Sequence, residues 1–460
     1  MDSMSVRIGR DSLGEVRIPA DALYGPQTQR AVENFPVSGL RLPRAFIRAQ
    51  GLIKASAAHA NMTCGQLDER KARAIIQAAE EVIEGKWDGQ FVVDAFQAGA
   101  GTSQNMNANE VIANRATQLL GGQIDQMLVH PNDDVNMAQS TNDTIHVAIN
   151  IAGAELVQHE LLPALDRTVK VLWAKSEQFM GIIKAGRTHL QDAVPIRMGQ
   201  EFSGYAQSFA NARERIRQTA ERLYEIGLGG NAVGTGINAH PQYAELAIEE
   251  IARRTGLPFA QPRNRFAFMQ NTAAALEVHS ALKELAVHVI KVTSDLRLLS
   301  SGPRTGLAEV QLPAVQPGSS IMPGKVNPVM LEMSYMVAAQ VIGNDATMTV
   351  AGCGSQLEIN VMMPVIGYNL LQSITILSNM LDVLREKCLE GLEANEVQCA
   401  KWMEASLSLV TALNPLIGYD KAAALAKQAF SENKTLVQVI REAGLWSPDI
   451  EEALRPEKMV

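Results

Sequence analysis

The chain contains 460 residues, of which 47% are apolar but only 5% aromatic. This length predicts two or three domains, and the composition predicts a mostly helical protein whose core consists of aliphatic side chains and methionine. The formal net charge of −8 argues against general nucleic-acid binding, because such binding needs a basic surface.

In chain order, an irregular stretch precedes a series of helices. Residues 1–45 contain four prolines, which would interrupt helices. Helices are predicted over 46–60, 68–86 and 109–120, with a small-residue, amide-rich loop at 97–109 and a second polar stretch at 130–144.

The middle of the chain carries the clearest helical pattern. Six apolar residues from Leu282 to Leu299 follow spacings of 3, 4, 3, 4 and 3, which is a heptad seam. Further long helices are predicted over 144–183, 196–226 and 329–350. Such helices would expose apolar surface on a monomer, so we expect oligomerisation through them. Shorter helices interrupted by proline and glycine follow in 396–460, which predicts a small C-terminal domain.

The four cysteines form no Cys-x-x-Cys pair. Their spacing fits no zinc or iron–sulfur framework, so we predict no metal, no cofactor and reduced thiols, as in a cytoplasmic protein. The N-terminal residues lack the apolar region of a signal peptide, and no run of about 18 apolar residues predicts a membrane span.

Residues 318–329 read Gly-Ser-Ser-Ile-Met-Pro-Gly-Lys-Val-Asn-Pro-Val. This is not a phosphate-binding P-loop, because its glycines are one residue too far apart and Val326 replaces the hydroxyl that would hold magnesium. Asn327 and Pro328 predict instead a helix start, with Asn327 as the N-cap. Free N–H groups there and the charge of Lys325 favour an anion, and the two glycines permit the loop to close around it.

The pattern Gly-Ser-Ser-x-Met-Pro-x-Lys-x-Asn closely resembles the signature of the fumarase/aspartase superfamily. Further motifs of that family occur in family order over nearly the whole chain. They are Ala100-Gly101-Thr102 with Asn105-Met106-Asn107, His130-Pro131-Asn132-Asp133-Asp134, Gln139-Ser140-Thr141-Asn142-Asp143, Gly186-Arg187-Thr188-His189-Leu190-Gln191-Asp192 and the glycine-rich segment 230–241.

The resemblance implies an all-α fold in three domains, here 1–138, 139–395 and 396–460. It also implies a homotetramer in which the central domains form a twenty-helix core, and active sites that each draw motifs from three different subunits. The implied reaction is a reversible anti elimination of water or an amine from a substituted succinate to give fumarate, as in the tricarboxylic acid cycle. No membrane or nucleic-acid partner is implied.

Removal of a proton beside a carboxylate places extra negative charge on that carboxylate, so the site needs cations and N–H donors there. Lys325, Asn327 and the helix terminus suit that role.

The residues alone leave Ser319 and Ser320 nearly equal as the base, whereas the family pattern favours Ser319, acting as an alkoxide on a loop that closes. By resemblance, neutral donors hold the two carboxylates and the leaving group. These donors are Thr102, Ser140, Thr141, Asn142 and Thr188.

His189 resembles the family histidine that orients the substrate or exchanges a proton with the leaving group, and Glu332 resembles its carboxylate partner. Such a partner would fix the tautomer of the imidazole and favour its charged form. His130 and Asp133 resemble a second, peripheral carboxylate site. A turn that caps a helix is an alternative for the His130 stretch.

The motifs divide between fumarases and aspartases. The His130 to Asn136 stretch and the His240 segment resemble fumarases, whereas Thr141 and the segments 98–103 and 354–364 resemble aspartases. We therefore expect hydration of fumarate to L-malate, with release of ammonia from L-aspartate as the alternative. Ile145-His146-Val147 fits neither pattern. A non-catalytic helical scaffold would have lost site residues, but Ser319, Lys325, Asn327, His189 and Glu332 are all present.

Overall fold

The computed structural model describes residues 5–460. Helices dominate, and the strands within this range form small two-stranded antiparallel sheets, so the predicted all-α class is confirmed. No helix in this range combines the length and the apolar character needed to cross a bilayer.

The elements are numbered in chain order. The first half contains β1 (Val6–Asp11), β2 (Gly14–Pro19), α1 (Pro26–Asn34), α2 (Arg44–Thr63), α3 (Glu69–Ile83), α4 (Thr102–Leu119), α5 (Thr141–Leu156), α6 (Leu162–Gln178), β3 (Ile183–Thr188), β4 (Gln191–Arg197) and α7 (Met198–Ala220). The second half contains α8 (Tyr243–Thr255), α9 (Arg265–Gln270), α10 (Ala273–Leu299), β5 (Val310–Gln311), α11 (Val329–Gly352), β6 (Ser355–Gln356), β7 (Ile359–Asn360), α12 (Met363–Leu384), β8 (Glu393–Ala394), α13 (Glu396–Ala405), α14 (Asn414–Ile417), α15 (Tyr419–Glu432), α16 (Leu436–Glu442) and α17 (Pro448–Ala453).

The chain separates into two compact units. Unit 1 comprises the chain up to Pro163, Glu214–Ala286 and Ala339–Ser378, and unit 2 comprises Ala164–Arg213, Val287–Ala338 and Asn379–Val460. Unit 1 has an apolar core of small and aliphatic side chains from α2, α3 and α4. Unit 2 has a smaller core around α13, α15 and α16. The three-domain division stays a prediction.

The heptad seam is confirmed as an apolar stripe of α10. All six of its residues are buried, with Leu282 and Leu296 fully so. The helix begins at Ala273, before the seam, and ends with it at Leu299. The seam therefore faces protein along its whole length, as its spacing predicts.

Three local predictions were wrong. The stretch 1–45, expected to be irregular, contains β1, β2 and α1. Residues 102–109 form the first two turns of α4 rather than a loop, because the amides of Gln104, Asn105 and Asn107 are buried and hydrogen bonded within the fold. The predicted helix over 144–183 ends at Gln178, and Ile183 already belongs to β3. Short strands with glycine and charged residues carry too little alternation to be recognised from the sequence.

A buried polar network in unit 1 connects three helices. His279 on α10 lies between Asp345 on α11, at 3.1 Å from Nδ1, and Ser373 on α12, at 2.9 Å from Nε2. Lys283 donates to the other oxygen of Asp345 at 2.5 Å. Burial of His279 lowers its pKa, so the neutral imidazole donates to Asp345 and accepts from Ser373.

This network predicts a stability effect. Asp345→Leu leaves the imidazole N–H without an acceptor, so we expect the free energy of unfolding to fall by about 2–3 kcal/mol. Denaturant unfolding measures this change. Glu69→Gln is the control, because it breaks the exposed pair of Glu69 with Arg73, which we expect to change stability by less than about 0.5 kcal/mol. Equal midpoints for both variants would contradict the prediction.

Candidate active site

The signature loop is closed at its base by backbone contacts. The Gly318 N–H donates to the Lys325 carbonyl at 2.8 Å, and the side chain of Asn327 donates to the Gly318 carbonyl at 2.6 Å. A Cβ at Gly318 would lie only 2.4 Å from that Lys325 oxygen, and Gly324 has a positive φ of 81°. Both glycines are therefore required by the geometry of this conformation.

Ser319 is oriented by the loop itself. Its Oγ accepts hydrogen bonds from the backbone N–H groups of Met322, at 2.9 Å, and Ile321, at 3.2 Å. A cavity of about 390 Å³ is lined by Ser319, Met322 and Lys325. Two N–H donors on one oxygen favour its deprotonated form, whereas the neighbouring Ser320 is exposed and has no such pair of donors among its described contacts.

The helix that follows the loop starts as predicted but is capped differently. α11 begins at Val329, and the Pro328 carbonyl accepts from the N–H groups of Leu331 and Glu332. The Asn327 side chain uses its amide nitrogen to hold Gly318 instead of capping the helix. Glu332 lies in the first turn of α11 and is partly exposed.

Thr188 and His189 lie at the tip of a β-hairpin that the sequence analysis missed. β3 pairs with β4 with Thr188 opposite Gln191, so His189 and Leu190 form a two-residue turn. Their φ angles are 55° and 58°, as a type I′ turn requires. The turn places the imidazole of His189 on an exposed tip.

A buried ion cluster anchors this hairpin. Glu309 is fully buried and lies 3.0 Å from Lys184 and 2.8 Å from Arg187, which are both residues of β3. Lys184 also pairs with Glu201 at 3.1 Å. Paired charges of this kind fix the backbone that carries Thr188 and His189.

The remaining predicted donors lie at two helix N-termini of unit 1. Thr102 begins α4 and is exposed, and the preceding Gly101 has a φ of 81°. Ser140 caps α5 through a capping box with Asp143. Asn142 donates to the Ala232 carbonyl at 2.9 Å and so connects α5 to the glycine-rich stretch.

Asp143 is the buried anchor of the glycine-rich stretch. Its carboxylate accepts from the backbone N–H groups of Ser140, Gly229 and Asn231 at 2.8–3.0 Å. Burial raises its pKa to about 6, and these N–H donors oppose the rise. At neutral pH the group is therefore mostly ionised.

Lys54 is a buried residue near the predicted donor Thr141 that the sequence analysis did not select. It is only 1% exposed, and its ammonium donates to the side-chain oxygens of Asn105, Asn136 and Gln139 at 2.9–3.0 Å. The Asn105 amide nitrogen in turn donates to Thr141 Oγ1 at 3.2 Å. The sequence signal was a single lysine in an otherwise apolar stretch of α2.

His130 has the geometry of the capping turn. Its Nδ1 accepts from the Asp133 N–H at 3.0 Å and lies 3.3 Å from the Asp133 carboxylate. The turn is one π-helical turn over Pro131–Val135. A cavity of about 270 Å³ is lined by Arg10, His130 and Asn132, among others. A ligand role for this region stays a prediction.

His146 faces the interior of unit 1. It contacts the ring of Phe268 at a centroid distance of 5.5 Å, and burial lowers its pKa to about 4. Its Nε2 is buried without a hydrogen-bond partner among the described residues. The side chain is therefore neutral at pH 7.

The predicted residues fall into two groups along the chain. Thr102 and the 140–142 motif belong to unit 1, whereas the hairpin tip and the loop of Ser319 belong to unit 2. Within residues 5–460 no hydrogen bond or ion pair joins His189 to Glu332.

Comparisons with known proteins identify the family. The family model described as lyase matches residues 14–343, and the model described as fumarase C C-terminus matches residues 409–460. An aspartate ammonia-lyase of a Bacillus species and a class II fumarate hydratase of Halobacterium salinarum are each 48% identical, and each match covers 99% of this chain and 97% of the relative. A crystal structure of class II fumarase from Schistosoma mansoni is 36% identical with a TM-score of 0.96, and the match covers 99% of both chains.

The chain therefore belongs to the fumarase/aspartase superfamily and is a lyase. The family predicted from the signature loop and the other motifs is confirmed. Both activities occur among relatives at the same identity, 48%, so overall similarity does not separate water from ammonia as the leaving group.

Proposed function

We propose that the enzyme is a class II fumarate hydratase that interconverts fumarate and L-malate. The observation that carries the proposal is the position of Ser319 Oγ, which accepts two backbone N–H bonds beside a cavity lined by Lys325. This arrangement supports an alkoxide base. Relatives with this activity cover nearly the whole chain.

In the direction of dehydration, Ser319 Oγ takes the proton from the carbon beside one carboxylate. The electron pair of the broken C–H bond moves into that carboxylate, which becomes a doubly charged aci form. Lys325 and the second N–H of the Asn327 amide stabilise the added charge. The C–O bond then breaks, and the hydroxyl leaves as water with a proton supplied through His189, which Glu332 of another subunit would orient.

Thr102, Ser140, Thr141, Asn142 and Thr188 would hold the second carboxylate and the leaving group. Several of these groups stand at the N-termini of α4 and α5, where free N–H groups favour an anion. Because the donors are neutral, their hydrogen bonds orient the substrate while Lys325 supplies the charge.

Aspartate ammonia-lyase is the second candidate. It is favoured by the Bacillus relative at 48% identity and by Thr141, which matches the aspartase pattern. The amine of aspartate is protonated while still bound to carbon and leaves as neutral ammonia without a general acid, so this alternative gives His189 an orienting role.

The two activities predict different products. We expect the pure enzyme to convert fumarate to L-malate without ammonium, and we expect ammonium to add no aspartate. Chiral chromatography of the products measures both. Aspartate formed only with ammonium, and no malate, would contradict the fumarase proposal and establish the alternative.

We further infer a homotetramer in the cytoplasm, with the three-domain division of the family and sites shared between subunits. Apolar side chains remain exposed on α11, where Met336 is 70% and Val350 is 68% exposed, and such a face favours contact with another subunit. All four cysteines are free thiols, which fits a reducing compartment.

A further inference from the structure

Lys54 is a buried cation that is held only by neutral groups. Its three ammonium hydrogens match three amide oxygens, one each from Asn105, Asn136 and Gln139. No carboxylate accepts a hydrogen bond from it among the described residues. Burial of a lysine without a carboxylate partner costs folding free energy, so we expect Lys54 to have a role beyond packing.

The ammonium determines the direction of the hydrogen bonds around it. An ammonium can only donate, so the side-chain oxygen of Asn105 must face Lys54 and its amide nitrogen must face Thr141. The same nitrogen also donates to Asn136, at 3.2 Å. Thr141 Oγ1 therefore accepts the hydrogen bond from Asn105, and the hydrogen of its hydroxyl group is available for donation to another acceptor.

We propose that Lys54 is a positioning residue that acts through Asn105 to fix the Thr141 hydroxyl as a hydrogen-bond donor to a substrate carboxylate. The proposal rests on the proposed function for its substrate class, a C4 dicarboxylate, and holds for either leaving group. Without Lys54 the Asn105 amide can turn over, and its oxygen would then accept the Thr141 hydrogen that the substrate needs.

The charges around Lys54 are few. Asp143 on α5 is the ionised group that acts on it, and it favours the charged ammonium. The groups that face Lys54 from α4 and from residues 136–139 are neutral amides, and no ionisable group on α3 or α8 acts on it. Burial lowers the pKa of Lys54 to about 7.

The charge of Lys54 should make substrate binding depend on pH. Below pH 7 the ammonium is charged and donates to all three amides. As the pH rises through about 7, the amine gains a lone pair, loses one hydrogen and no longer fixes the direction of the Asn105 amide. We therefore expect KM for the dicarboxylate to rise about tenfold between pH 6 and pH 8.5, while kcat changes less.

The test is steady-state kinetics of Lys54→Met, which keeps the length of the side chain. We expect KM at pH 6.5 to rise about tenfold, kcat to stay within about threefold, and the rise of KM with pH to disappear. Lys175→Met is the control, because Lys175 is also a buried lysine, held by the Leu392 carbonyl in unit 2. It should keep the KM and pH profile of the wild type.

A double-mutant cycle separates positioning from general damage. In a Thr141→Val background, Lys54→Met should raise KM by less than about twofold, because the hydroxyl through which it acts is absent. The full tenfold effect in both backgrounds would overturn the proposal, and so would an unchanged KM and pH profile in Lys54→Met.

Asn105→Asp decides the question if Lys54→Met does not fold. Aspartate keeps an oxygen for Lys54 but has no N–H for Thr141, so the same rise in KM is expected, and a wild-type KM would overturn the proposal.

Wild-type turnover is measured first. Turnover by the wild type with unaffected variants rejects only the role of Lys54, whereas no turnover with fumarate, malate or aspartate rejects the proposed function itself.

Discussion

Ser319→Ala should lower kcat by about 10²- to 10⁴-fold, the contribution expected of a general base in the transition state. Ser319 Oγ is the acceptor of two loop N–H groups, and alanine removes only that oxygen. The loop is also closed by Gly318 and Asn327, so it should keep its shape. Steady-state assays that follow the absorbance of fumarate measure the loss of kcat. Size-exclusion chromatography checks the assembly, and thermal unfolding checks the fold.

Ser320→Ala is the matched control for this experiment. Ser320 is the adjacent residue with the same hydroxyl, but it is exposed and lacks the paired N–H donors. We expect its kcat to stay within about twofold of the wild type. Near-normal turnover by Ser319→Ala would remove Ser319 as the base, and a large loss in Ser320→Ala alone would assign that role to its neighbour.

The loop could be recognised from the sequence because its chemistry is local. Gly318, Ser319 and Lys325 lie within eight consecutive residues, and the helix start at Val329 follows from Pro328. The direction of the Asn327 side chain could not be predicted in this way. A cap and a contact to the Gly318 carbonyl are both possible for an asparagine at that position, and only the folded loop decides between them.

Lys54 and Glu309 show why the supporting residues were missed. Lys54 is one cation in a helical stretch, and lysines in such stretches mostly extend into solvent. Its partners lie 51 to 85 residues away in sequence, so no local pattern connects them. Glu309 pairs with β3 across more than a hundred residues, and the hairpin that it anchors has too few alternating residues to be recognised.

The proposed sharing of each site between subunits leads to a second prediction with a large effect. Ser319→Ala and His189→Asn should each be nearly inactive, yet hybrids formed from a mixture of the two should recover activity. If each site takes Ser319 and His189 from different subunits, random assembly of equal amounts leaves about a quarter of the sites with both wild-type residues. The hybrids are made by coexpression with two affinity tags and assayed after purification through both tags.

The control pair for this experiment is Ser319→Ala with Lys325→Met. Both residues belong to one loop, so a subunit that supplies a wild-type serine in this mixture always supplies methionine at position 325. No site then receives both wild-type residues, and we expect no recovery from this pair. A second mixture combines wild type with a doubly substituted chain, Ser319→Ala with His189→Asn. If the sites are shared, Ser319 and His189 come from two different subunits, each of which is wild type with a probability of about one half, so about a quarter of the sites keep both residues. If each site is built within one subunit, about half of the sites keep both. Recovery of activity in the mixture of Ser319→Ala with His189→Asn, together with about a quarter of the wild-type activity in the mixture with the doubly substituted chain, would establish sharing. No recovery in the former and about half of the wild-type activity in the latter would contradict it.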